Sequence, residues 1–182
     1  FLHHVNFRRE DKSEYSVFAS NAFLLFGYVF GNGKGIKIYR PTAKTRFMYA
    51  GELPKPYIFG MEQLPPKGEM VIITGGEKDV LSLAAHGFTA ISFNSETANI
   101  SEEGMRELAG RFKKILFLYA MDETGKKESA MKVKQFRDKY NVGRIELPLE
   151  GTKKEKDISD YFEKGKTKEE LNRIIKLMVW KR

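Results

Sequence analysis

Cysteine is absent from the 182 residues, which excludes disulfide frameworks and thiolate zinc sites. Only three histidines occur. His3-His4 and the distant His86 have no ligand spacing and read as structural, so any metal is expected to be Mg²⁺ or Mn²⁺ on oxygen donors. Long apolar runs are missing as well. The longest, Ala22–Gly31 (AFLLFGYVFG), falls well short of the roughly 20 residues that span a bilayer. The N-terminus has no charged-then-apolar signal pattern, so no membrane partner and a cytoplasmic location are expected. An initiating methionine is lacking too, which predicts an excised part of a longer protein with flanking domains.

What is present is a 41% hydrophobic composition, enough for one packed domain or two small ones. The net charge is +8. Residues 1–69 hold 10 basic and 6 acidic residues and the remainder 22 and 18, so each part carries +4 and no basic tail explains the excess. Such a balance suits a polyanionic partner, and equally a basic protein with no nucleic-acid role.

Residues 1–15 are polar and weakly patterned, with Arg8, Arg9, Glu10, Asp11 and Lys12 together, and read as an irregular or edge segment. From Tyr15 short aromatic and β-branched stretches alternate with glycine and proline breaks, a β-hairpin grammar. Leu24–Phe30 and Gly35–Tyr39 are expected to pair antiparallel around Asn32-Gly33. Pro54, Pro56, Pro65 and Pro66 punctuate residues 51–69, read as a linker with a helical turn near Met61–Leu64.

Beyond it strands are expected at 70–74, 89–93, 114–119 and 143–147, alternating with helices at 77–87, 101–111, 126–140, 157–163 and 167–180. Alternation with short connections implies parallel strands and right-handed crossovers, hence an α/β sheet flanked by helices. The expected division is therefore 1–69, a small β-rich (α+β) subdomain, and 70–182, the α/β domain. Ligands of such sheets bind at the carboxyl ends of the strands. Gly75–Asp79, Asn94–Thr97, Ala120–Gly125 and Gly151–Asp160 all follow a strand and are expected to share one rim.

Met70–Asp79 (MVIITGGEKD) is the chemical centre of that rim. Val71–Thr74 read as a buried strand, Gly75-Gly76 as a tight turn, and Leu81, Ala84 and Ala85 as the inner face of a helix. Glycines admit a ligand close to the backbone, and the first helical turn offers free N–H groups, so phosphate or metal-bound phosphate is favoured there. Glu77 and Asp79 are placed to hold a metal.

ITGGEKDVLSLAAHGFTAISFN, followed by KKILFLYAMDETGKKESAMKV, resembles the Toprim domain of bacterial- and phage-type DNA primases, topoisomerases and some nucleases, with primases nearest. The family's E-G-x-x-D falls on Gly75, Gly76 and Asp79, and its D-x-D-x-x-G on Ala120, Asp122 and Gly125. Residues 27–60 also resemble the segment preceding Toprim in phage and plasmid primases.

The resemblance implies a Toprim-like fold and metal-dependent RNA primer synthesis on single-stranded DNA from nucleoside triphosphates, in a primase or primase-helicase of mobile-element type that partners a replicative helicase. It assigns Asp79, Asp122, Asp157 and Asp160 to Mg²⁺ or Mn²⁺. It also implies nucleic-acid or nucleotide contacts from Gly76, Lys78, Asn94, Ser95, Arg40, Lys44 and Arg46. Two family acids are replaced, by Gly75 and Ala120. Glu77 is the candidate substitute for the first, although it leaves its helix in another direction. Losing a catalytic acid or base forfeits about 10²–10⁴ in rate, so a non-catalytic Toprim module binding nucleic acid or nucleotide is the alternative, and a Toprim nuclease a third.

Each candidate has a plainer reading. Asp79 suits the helix dipole, Asp122 a turn, and Asp157 with Asp160 a helix N-cap and its third residue. Arg40, Lys44 and Arg46, alternating with Tyr39, Phe47 and Tyr49, read either as a basic stacking groove or as a solvated edge whose rings enter the core. Lys126, Lys127, Lys132, Lys134 and Arg137, like Lys153, Lys154 and Lys156, read as solvated faces or as phosphate contacts.

Overall fold

The computed structural model describes residues 1–9 and 11–179. It divides into two compact units, Phe1–Tyr57 and the remainder from Ile58.

In the first unit β1 (His4–Arg8) and β2 (Glu14–Phe18) pair antiparallel, His4 opposite Phe18. The segment read as irregular or edge therefore contains a strand. Its alternation of Val5 and Phe7 with polar neighbours is matched by Tyr15 and Val17, and Phe7 stacks on Tyr15 at 5.0 Å. The charged cluster that obscured this pattern forms the connection; Glu10 lies outside the described residues.

A second antiparallel sheet has the order β3 (Phe26–Phe30), β4 (Gly35–Tyr39), β5 (Phe47–Gly51). The expected pairing around residues 32 and 33 is present, Phe26 opposite Tyr39 and Phe30 opposite Gly35. A single 3₁₀ turn at Gly31–Gly33 makes the reversal, with φ of 56° at Gly31 and 94° at Gly33, values that glycine adopts without steric penalty. Leu25, Tyr28, Phe30 and Ile38 are buried.

The second unit has a five-stranded sheet in the order β10 (Val142–Arg144), β9 (Phe112–Leu118), β7 (Gly68–Thr74), β8 (Ala90–Phe93), β6 (Ile58–Phe59). β10, β9, β7 and β8 are mutually parallel, as expected, whereas β6 pairs antiparallel with β8. The proline-punctuated stretch thus supplies an edge strand, too short to announce itself by alternation, before a 3₁₀ turn at Met61–Gln63.

The helices are α1 (Glu77–Ala85), α2 (Glu102–Arg111), α3 (Glu123–Phe136), α4 (Ile158–Glu163) and α5 (Lys168–Val179). The expected end of the last, Trp180, lies outside the described residues. Successive strand residues point to opposite faces, and both faces are covered. Val71, Ile73, Ile91, Ile115 and Phe117 pack with Met105 and Leu108 of α2 and Phe136 of α3. Ile72, Leu116 and Leu118 pack with Val80 and Leu83 of α1, Tyr161 of α4 and Leu171 of α5. This double burial makes the strands continuous apolar runs. The result is a mixed, largely parallel sheet flanked by helices, with antiparallel β-rich sheets preceding it. Among the described residues no helix is long and apolar enough to cross a membrane.

Candidate active site at the carboxyl ends of the strands

The rim begins where β7 ends. Thr74, fully buried, donates from Oγ1 to the carbonyl of Gly76 at 3.1 Å and so fixes the Gly75-Gly76 turn. Gly76 then caps α1 with extended backbone and no side-chain cap. Glu77, Lys78 and Asp79 form the first turn of that helix. Glu77 is buried, at 4% exposure. Asp79 is buried as well and accepts a hydrogen bond on Oδ1 from the Ser159 hydroxyl at 2.9 Å. Burial, reinforced by the charge of Asp157, pushes Asp79 up to about 7.

Asp157 and Asp160 form a capping box at the start of α4. Asp157 Oδ1 accepts from the Asp160 amide at 3.0 Å, and Asp160 Oδ2 accepts from the Asp157 amide at 3.1 Å and the Lys156 amide at 2.8 Å. The local reading is therefore realised, and each carboxylate keeps its other oxygen. Those oxygens face one cation: Lys78 Nζ lies 2.9 Å from Asp157 Oδ2 and 3.9 Å from Asp160 Oδ1. Burial opposes the charge on Lys78, but Asp157, Asp79 and Asp160 outweigh it and raise its pKa.

Asp122, after β9, follows the same plan. It caps α3 through Oδ1, which accepts from the Gly125 amide at 2.9 Å, and presents Oδ2 to Lys156 Nζ at 2.8 Å. The Lys156 hydrogen bond first, then the Gly125 amide, holds the Asp122 carboxyl below the ordinary range. Gly125 is confined to glycine by crowding, since a Cβ there would collide with the Ala120 carbonyl oxygen. The loop before α4 is fixed to this strand end by the Met121 amide, which donates to the Lys156 carbonyl at 2.6 Å. An open cleft of about 600 Å³ flanks Asp122, lined also by Glu123, Thr124, Lys126, Lys127, Glu150 and Gly151.

A further carboxylate lies between the two family positions that lack one. Glu96, on the loop after β8, accepts from the Ala120 amide at 2.6 Å, and its Oε1 lies 2.5 Å from where a Cβ on Gly75 would stand. Burial raises its pKa against the Ala120 hydrogen bond, with Asp122 adding to the rise. Its only sequence signal was its place beside Asn94, Ser95 and Thr97 on a strand-end loop. Asn94 and Ser95 are exposed there, Ser95 bonding Thr97 side chain to side chain at 3.0 Å.

The donors are thus all hard oxygens, the chemistry of Mg²⁺ and Mn²⁺. Among the described residues no three His, Asp or Glu side chains gather closely enough to hold an ion as they stand. Lysine ammonium groups occupy the free oxygens instead, as stand-in cations. The side chains of Lys78 and Lys156 are 52% and 39% exposed, whereas those of the Asp157 and Asp122 they meet are 17% and 29% exposed. A divalent ion on these oxygens would have to displace the two lysines.

Arg40, Lys44 and Arg46 belong to the first unit and its β4–β5 connection. Lys44 and Arg46 are exposed, and Arg40 Nη1 meets Met48 Sδ at 3.4 Å. Tyr39 stacks on Phe47 at 5.1 Å. Phe47 and Tyr49 are 41% and 45% exposed, so these rings do not enter the core. The buried Lys37, which the sequence did not single out, places its ammonium 4.6 Å from the Phe47 ring and 5.4 Å from that of Tyr57.

No family model and no curated protein matches the sequence. Solved structures do. The primase fragment of the bacteriophage T7 primase-helicase is 20% identical with a TM-score of 0.56 over 87% of this chain and 63% of that one. A DNA primase domain from Pseudomonas aeruginosa is 18% identical, TM-score 0.68, over 95% and 56%. The DnaG primase catalytic domain bound to ssDNA is 15% identical, TM-score 0.67, over 94% and 57%. The fold is that of a Toprim-type primase domain. This chain spans 63% of the first of these structures and 56% of the second.

Proposed function

We propose that this chain is the catalytic-core portion of a primase-like protein, acting on single-stranded DNA and nucleoside triphosphates to lay down a short RNA primer with Mg²⁺ or Mn²⁺. The observation that carries the reading is the position of Asp79, Asp122, Asp157 and Asp160, each at the carboxyl end of a strand or the start of the helix that follows, in a primase fold. The remaining oxygens of Asp157 and Asp160 face Lys78, and that of Asp122 faces Lys156. A bound divalent ion supplies charge neutralisation for the phosphates of the reacting nucleotide.

The chain's own residues do the rest. Asp157 and Asp122 seat Lys78 and Lys156, which turn to incoming phosphate once the ion takes those oxygens, and Lys126 and Lys127 line the flanking cleft together with Glu123 and Glu150. In the first unit the exposed Phe47 and Tyr49 rings, with the exposed Lys44 and Arg46, offer stacking and phosphate contacts to a single strand. The solved relatives include a DnaG catalytic domain bound to ssDNA and T7 primase domains bound to an RNA/DNA hybrid and dTTP.

The test is incorporation of labelled ribonucleotides on single-stranded DNA by the full-length protein with Mg²⁺ or Mn²⁺. Short metal-dependent RNA, lost in Asp122→Asn, is expected. A folded protein that binds single-stranded DNA but makes no product would favour the second reading, a binding module without chemistry. The lysines seated on Asp122 and Asp157 are the observation on its side.

A further inference from the structure

The two glycine and alanine replacements are not scattered losses. Positions 75 and 120 follow β7 and β9, and these strands are adjacent in the sheet. A side chain at position 75 would enter a small volume above the strand ends, toward which the Ala120 amide also points. One carboxylate already fills it. The three atoms nearest an added Cβ on Gly75 all belong to Glu96, at 2.5, 2.8 and 3.0 Å. The Ala120 amide donates to the same Oε1 at 2.6 Å. Gly75 does not have a positive φ that would demand glycine. What its backbone lacks is room, and Glu96 has taken it.

The remaining electrostatics agree with a working position. Asp122 and Lys156 are among the charges that act on Glu96, so it belongs to the same field as the lysine-bearing acid of the second motif. It is half-buried, not sealed in. Glu77, the substitute suggested by the motif alone, is buried at 4% exposure in the first turn of α1.

We propose that Glu96 supplies, from the loop after β8, the rim carboxylate absent at positions 75 and 120, so that the acid has moved between strands while keeping its place in space. This rests on the primase reading of the rim. It makes Glu96 a group that contacts the divalent ion or the reacting nucleotide, and it explains the glycine at 75 as the partner of that relocation.

The experiment follows Mn²⁺ uptake through loss of the free-ion electron paramagnetic resonance signal, with circular dichroism as the check on folding. The proteins are the wild type, Glu96→Gln and the double variant Gly75→Glu/Glu96→Ala. Glutamine keeps an acceptor for the Ala120 amide and removes the charge, so Glu96→Gln is expected to melt as the wild type does and to bind Mn²⁺ at least about tenfold more weakly. Returning the carboxylate to position 75 is expected to recover most of that loss. Unchanged affinity in Glu96→Gln overturns the role of Glu96 and leaves the strand-end site standing. A folded double variant no better than Glu96→Gln overturns the exchange between the two positions. Should that variant not fold, the shorter Gly75→Asp/Glu96→Ala replaces it. A wild type that takes up no Mn²⁺ overturns both the proposal and the primase reading.

Discussion

Asp79 carries the most heavily displaced ionisation of the rim, and its environment has a measurable consequence. Its carboxyl moves from the ordinary 3.8 to about 7 because burial removes water and Asp157 adds repulsion. A raised acid pKa means that the folded state prefers the proton. Below pH 4 both states hold it and Asp79 exerts no penalty. Between pH 4 and 7 the unfolded chain releases the proton first, and stability falls with rising pH. At about 1.4 kcal/mol per pH unit the difference amounts to roughly 4 kcal/mol. Asp79→Asn, measured in chelator by urea unfolding, is expected to match the wild type near pH 4 and to exceed it by a few kcal/mol at pH 8. Equal stability at both would contradict the burial argument. Phe47 and Tyr49 give a second residue-scale prediction. Replacing either by alanine should weaken oligonucleotide binding by about 1–3 kcal/mol for each base that stacks on it, with little effect on folding, read by fluorescence anisotropy.

At the scale of elements, the recurring device is a helix N-terminus whose capping acid keeps one oxygen free. Asp157→Ala removes a cap of α4 and is expected to cost about 0.5–2 kcal/mol by urea unfolding, while freeing Lys78 from its shorter ion pair. Gly125→Ala should cost more and displace α3, because the added methyl meets backbone oxygen, which cannot turn aside as a side chain can. The strands and helices of the second unit were legible because double burial and short connections leave a strong pattern: β7 and β9 read as apolar runs, α1 and α3 as segments between turn signals. β1 was hidden by charged neighbours and β6 by its two-residue length. Asp122, read as a turn residue, caps a helix that starts three residues before its expected position, whereas Asp157 could be placed from spacing alone, since capping is local. Glu96 could not, because its position depends on an amide 24 residues away and on room left by a missing side chain.

At the scale of the whole molecule, the +8 charge is distributed over both parts of the chain. Affinity for single-stranded DNA is therefore expected to fall with salt, its logarithmic slope close to −0.7 for every phosphate contacted. Binding indifferent to salt would point to a different partner. The folded chain brings one strand-end carboxylate set and one exposed aromatic, basic face into the same polypeptide, and the primase reading requires the first of these to behave as a single site.

Calorimetric titration of Mn²⁺ into the wild type, Asp79→Ala and Asp122→Ala tests that requirement most directly. The account predicts binding by the wild type and its loss in both variants, each still folded by circular dichroism. A wild type that binds no ion, or variants that bind as it does, would contradict it.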